Sequence, residues 1–143
     1  IPVKTQEKLA QFLADRKVDL VIGHHPHVLQ TARWIEREDG GKTLVYFSLG
    51  NFISSQNKKP RTLGGMAKII LTLRGNKIAY ESAELLGLVA HYEKGYKNFK
   101  VYPLNDYDDD LAKRHALSAK PEKLDLIYLR KLYDSIVPES FRN

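Results

Sequence analysis

Three of the chain's five histidines fall within four residues, His24-His25-Pro26-His27. Neutral imidazole is a ligand for zinc, iron, nickel or copper, and shells that mix imidazole with carboxylate also admit manganese. Pro26 fixes its own φ and is expected to push His25 towards an extended conformation, which would stiffen the spacer between His25 and His27. Two imidazoles on such a segment suit one metal ion or a pair. The alternative is a polar loop whose histidines cap backbone groups or face water, because no ligand set is complete from spacing alone.

The elements that must position this loop lie on either side of it. Leu20-Val21-Ile22 is an apolar run too short for a helix and ends on Gly23, so it reads as a buried strand with the histidines at its carboxyl end. In an open α/β sheet that edge is where ligands bind. Upstream, Lys4 to Lys17 places Leu9, Phe12 and Leu13 on one helical face, which predicts an amphipathic helix packed on the sheet. Downstream, Thr31 to Arg37 and Thr43 to Ser48 flank Glu38-Asp39-Gly40-Gly41-Lys42, whose paired glycines predict a hairpin with Trp34 and Tyr46 as cross-strand neighbours.

The stretch Val21 to Gln30, followed by Tyr46-Phe47-Ser48-Leu49-Gly50-Asn51-Phe52, resembles the CapA/PgsA family of capsule and poly-γ-glutamate biosynthesis proteins, a branch of the calcineurin-like metallophosphoesterases. The two motifs in this order, separated by a hairpin, are more specific than either alone. The resemblance implies a Gly-His-x-His metal element in which His25 and His27 are ligands and His24 lies close by. It also implies that Ser48 and Asn51 face the same site, with Asn51 orienting a substrate oxygen. Divalent metal ions, two in the full-length protein and of the Mn, Zn or Fe kind, would polarise phosphoryl oxygens and activate water. The superfamily's earlier Asp-x-His, Gly-Asp and Asn-His motifs have no counterpart here, and Asp19 does not replace them. With Ile1 in place of Met, this predicts the C-terminal portion of a longer protein, whose upstream half would complete the site and carry any membrane anchor.

Further along, Met66 to Leu73 and Ile78 to Leu86 read as a second hairpin around Arg74-Gly75-Asn76-Lys77. Gly64-Gly65 is no phosphate loop, since no helix with the required Lys and Ser or Thr follows. His91 follows the strand-like Leu85 to Ala90, and the resemblance, in which a segment after the second hairpin returns near the active centre, implies it as an outside candidate for catalysis or substrate contact, the alternative being a sheet-edge histidine. Asp106, Asp108, Asp109 and Asp110 lack the periodicity and glycine of a calcium loop and fit the N-terminus of a helix that would leave His115 at the surface. Pro121-Glu122 is expected to open a last helix through Leu124, Ile127, Tyr128 and Leu132 to Pro138.

These elements predict an α/β (α+β) chain, the C-terminal part of a metallophosphoesterase-like β-sandwich flanked by helices. Residues 1–104 would form the CapA-like domain portion and 105–143 a helical extension packed on it. With 143 residues and 43% hydrophobic content the chain supports a core, and with no cysteine it has neither disulfides nor thiolate metal sites. The net charge of +6 is scattered, and its one compact cluster, Lys58-Lys59-Pro60-Arg61, lacks the interleaved aromatics of a nucleic-acid face. The cluster reads first as a solvated basic loop and, as the alternative, as a contact for an anionic polymer or phosphorylated substrate through Arg61. The resemblance adds subunits of a membrane synthesis complex as partners, at the extracellular face of a bacterial membrane, as in Gram-positive cells. Three functional classes follow: a metal-dependent phosphoesterase-type enzyme of capsule or poly-γ-glutamate biosynthesis, a non-catalytic subunit of an anionic polymer synthesis and export complex, or a structural domain whose histidines bind nothing.

Overall fold

A computed structural model describes residues 1–75, 77–119 and 123–142, with residue 77 described by its backbone only. The order is α1 (Lys4–Asp15), β1 (Leu20–Ile22), β2 (Ala32–Glu36), β3 (Lys42–Tyr46), β4 (Leu63–Arg74), β5 (Lys77–Glu93), β6 (Lys97–Pro103), α2 (Asp109–Arg114) and α3 (Leu126–Ile136). The chain is therefore of the α/β class, with two three-stranded sheets. The first has the order β1-β3-β2, with β1 parallel and β2 antiparallel to β3. The second is the antiparallel meander β4-β5-β6.

Side chains of β3 alternate between two environments. Val45, with Phe47 just beyond the strand, packs against Ala10 of α1, whereas Leu44 and Tyr46 enter the main core with Leu63, Leu85, Leu129 and Phe141. The two sheets are also joined by hydrogen bonds, from the Tyr46 hydroxyl to the Glu84 carbonyl and from the Gly65 amide to the Leu49 carbonyl.

Helix α1 does not use the face that its large residues define. Leu9 and Phe12 are 58% and 47% exposed, while Ala10 and Ala14 are buried. Small side chains let the helix axis approach β3 closely, and that contact outweighs burying the larger stripe. The β2–β3 hairpin forms as expected, but only Gly40 of the pair has positive φ, at 78°. Its register sets Trp34 opposite Leu44 and Tyr46 opposite Ala32, so Trp34 and Tyr46 are not paired.

The second hairpin is longer than its apolar pattern suggests. Strand β4 begins at Leu63, and β5 runs on through His91 to Glu93 because it is paired on both sides, by β4 and then by β6. Strand β6 is absent from the sequence reading. The Asn76 turn position and the Pro121-Glu122 helix start lie outside the described residues. Helix α3 begins at Leu126, capped by the Asp125 carboxylate, which accepts from the Tyr128 amide. Leu126 and Leu129 are its buried residues, and Ile127, expected in the stripe, faces solvent. Asp108 caps α2 by accepting from the Leu111 amide at 2.7 Å.

His115 is a correction of another kind, being 1% exposed rather than on the surface. It forms a bridge to Glu93, its Nε2 donates to the Ala90 carbonyl, and its Nδ1 accepts from the Leu117 amide at 3.0 Å. Those partners fix the neutral Nε2–H tautomer. Burial, against a smaller opposing effect of the Ala90 bond, lowers its pKa to about 4.

Candidate functional site

The parallel β1 and β3 end side by side, so the loops that follow them, 23–28 and 47–51, emerge at one edge of the sheet. Gly23 joins them through two backbone bonds, its amide to the Tyr46 carbonyl at 2.7 Å and its carbonyl to the Leu49 amide at 3.1 Å. A Cβ on Gly23 would lie 2.3 Å from the Phe47 oxygen, so this glycine serves close backbone approach rather than a sharp turn. Gly64, at the start of β4, plays the same part against the Asn51 carbonyl, which a Cβ would meet at 2.1 Å.

Within the histidine loop the backbone departs from expectation. His25 has φ of 100° and His27 of 59°, so the residue before Pro26 is not extended. Pro26 disfavours the right-handed helical region for His25 but does not forbid positive φ, and the chain takes that route. Non-glycine residues in this region carry strain of order 1–3 kcal/mol each, which the surrounding contacts must outweigh.

The side-chain contact that unites the two loops is between His27 and Asn51. His27 Nδ1 lies 2.8 Å from Asn51 Oδ1, and Asn51 Nδ2 donates to the Arg61 carbonyl at 3.0 Å. Reversing the Asn51 amide would set its oxygen against that carbonyl, so the orientation is determined by the Arg61 contact. Because Oδ1 can only accept, His27 Nδ1 must carry the proton. In the neutral ring this leaves the lone pair on Nε2, on an exposed side chain, in the form that binds metals.

His24 and His25 are also exposed. Ser48 is fully buried, and its hydroxyl accepts from the Gly50 amide, so it shapes the turn that presents Asn51 and has no surface for a substrate. The Arg61 guanidinium donates to Gln56 Oε1 at 2.8 Å, beside the short turn Lys59–Thr62. Asn51 itself is buried, reached through His27. Phe52 and Ile53, which follow it, are exposed. Among the described residues no three His, Asp or Glu side chains come together as a metal shell.

His91 is not part of this constellation. It is 2% exposed and enclosed by the rings of Tyr102, Tyr107 and His115, so it lacks the accessible face that a substrate contact requires. Its Nε2 faces the Glu93 carboxylate at 3.7 Å, and Nδ1 accepts from the Tyr107 hydroxyl at 2.7 Å. Desolvation lowers the His91 pKa in spite of Glu93. The buried His91–His115 pair was missed because its two members sit on separate elements, brought together by the Glu93–His115 bridge.

Residues 1–56 match the family described as "Bacterial capsule synthesis protein PGA_cap". Over this N-terminal stretch the chain is similar to CapA proteins. The PGA biosynthesis protein CapA of Bacillus subtilis (strain 168) is 42% identical over 55 residues, covering 38% of this chain and 13% of that protein. The capsule biosynthesis protein CapA of Bacillus anthracis is 38% identical over 55 residues, covering 38% of the chain and 12% of its own length. The similarity to these CapA proteins therefore spans about an eighth of the relatives and, by the family match, takes in both site loops through Asn51. No solved structure matches the chain significantly.

Proposed function

We propose that this chain belongs to the CapA family and acts in capsule or poly-γ-glutamate biosynthesis at the cell envelope, and that its two loops form part of a divalent-metal site of phosphoesterase type. The observation that carries this reading is the His27–Asn51 contact, which spends Asn51 on fixing a tautomer whose free Nε2 points outward. A histidine needed only for packing gains nothing from that arrangement. His27 and His25 would hold the metal, with His24 adjacent. When bound, such an ion supplies Lewis acidity towards a phosphoryl oxygen. The protein's own contribution is to hold the imidazole plane through Asn51, and to keep Arg61, whose carbonyl accepts from Asn51, beside the site as a cation for an anionic substrate.

A second reading, a non-catalytic subunit of an anionic polymer synthesis or export complex, is favoured by Phe52 and Ile53, exposed apolar residues directly beside the site. Among the described residues no helix is long and apolar enough to cross a membrane. Calorimetric titration with Mn²⁺ and Zn²⁺ tests the first reading. Saturable binding that His25→Ala and His27→Ala abolish is the expected result. Equal heats from the chain and both variants would remove the metal site and leave the subunit reading, which predicts saturable binding of oligoglutamate or of a partner.

A further inference from the structure

A cleft of about 760 Å³ opens at the other end of the first sheet, where β1 and β3 begin rather than where they end. The volume lies within the ~300–1,000 Å³ of small-molecule sites. Because the two strands are parallel, their full length separates this cleft from the histidine loop. One wall is apolar, made by Trp34 of β2 with Ile78 and Tyr80 of β5. The rim is charged and comes from Lys17, Asp19 and the β2–β3 turn, with Arg37, Asp39 and Lys42.

Two properties of the cleft restrict its ligand. The first is charge balance. Arg37 lies 3.0 Å from Asp19 and 3.3 Å from Asp39, Lys17 is 3.7 Å from Asp39, and Lys42 is paired with Glu36 at 2.8 Å. Three cations thus meet three carboxylates, which leaves no net field to hold an anion. An apolar ligand would strip water from the same charges without replacing its hydrogen bonds. What remains accessible is a row of alternating donors and acceptors.

The second property is a fixed aromatic surface. Trp34 is 37% exposed, with the Tyr80 ring edge-on at 4.8 Å and Phe141 stacked at 6.5 Å. Tyr80 is itself held, its hydroxyl bonded to the Asp19 carbonyl. A preset aromatic surface beside paired donors and acceptors complements a ring that has one C–H face and hydroxyls able both to give and to accept. We infer that this cleft binds a neutral oligosaccharide, with Trp34 as the platform and Lys17, Arg37, Asp39 and Lys42 reading its hydroxyls.

Trp34 is the only tryptophan of the chain, so its emission reports directly on the cleft. The test titrates maltotriose, cellotriose and tri-N-acetylchitotriose into the 143-residue chain, with triglutamate and inorganic phosphate in parallel. The expected result is a saturable change with at least one of the three neutral sugars. The Lys17→Ala/Lys42→Ala double variant, which alters only exposed side chains, weakens that binding about tenfold, in keeping with two lost hydrogen bonds. Absence of a saturable response to all three sugars, unaltered affinity in the double variant, or a stronger response to triglutamate or phosphate each overturns the proposal. None of these outcomes bears on the histidine loop, whose metal titration stands apart.

Discussion

Acid should loosen this fold at pH values where its carboxylates are still ionised, and His115 should be the main cause. Its pKa falls from an ordinary 6.5 to about 4 on folding. An unfolded chain therefore binds more protons than the folded one between those values, and stability drops as pH falls through that window and is fully present above it. Applying the linkage relation to that shift gives a loss of about 2 kcal/mol between pH 7 and pH 5 from this residue. The groups facing it do not cancel the effect. His91, with ring centroid 5.3 Å away, also has a lowered pKa, so it adds in the same direction. Glu93 is held below the usual carboxylate range, chiefly by Asn98, and responds only at lower pH. Arg114 is paired with Glu93 at 3.4 Å. The assay is urea unfolding at pH 7, 6 and 5, beside His115→Gln, whose amide can still donate to the Ala90 carbonyl but does not titrate. The wild type should lose stability steeply and the variant much less. Curves that are flat in both, or equally steep in both, would refute the assignment of the buried neutral imidazole.

The other predictions concern the loops and caps. Asn51→Ala should release the His27 tautomer, seen as a change in its ¹⁵N ring shifts, and should cost about 1–3 kcal/mol because the Arg61 carbonyl loses its donor; unchanged ring shifts would count against the tautomer argument. Gly64→Ala, which drives a Cβ into the Asn51 carbonyl, should destabilise the chain by about 1–3 kcal/mol in the same urea assay and disturb the His27 shifts as well. Asp108→Ala should cost about 1 kcal/mol through loss of the α2 cap, and Asp108→Asn should restore most of it.

The readable parts of this chain were those in which a local pattern and a tertiary demand agreed. The run Leu20-Val21-Ile22 before Gly23, and the segment from Thr43 after the paired glycines, read as strands and are strands in the fold, the second as Lys42–Tyr46. That the loops carrying His27 and Asn51 meet was implied by the family resemblance and not by these local patterns. Where tertiary packing decided the matter, residue character misled. Leu9 and Phe12 look like the buried face of α1, yet Ala10 and Ala14 take that place because close approach to β3 mattered more. Lys97–Pro103 carries three exposed polar residues and a proline, which argues against a strand until β5 offers it an edge. His115 looks like a helix-end residue, and only the return of Glu93 to its backbone encloses it. The positive φ at His25 has no local signal, since nothing in His-Pro selects it.

Strand β5 also sets an order of events during folding. Its pairings with β4 and β6 close through short turns at Gly75 and Gly95, so the meander can zip from local contacts at little entropic cost. The β1–β3 pairing must instead close a loop across the whole β2 hairpin, and α3 docks only when β5 is in place, since the Tyr133 hydroxyl seeks the Leu85 carbonyl. The meander should form early and exchange its amide protons slowly, while the segment from Gly23 to Gln30 forms late and exchanges fast, an order that hydrogen exchange resolved by residue would reverse if the reasoning is wrong. The histidines would then sit on the last piece of the chain to settle, at a seam that ligand binding can still tighten after the rest has folded.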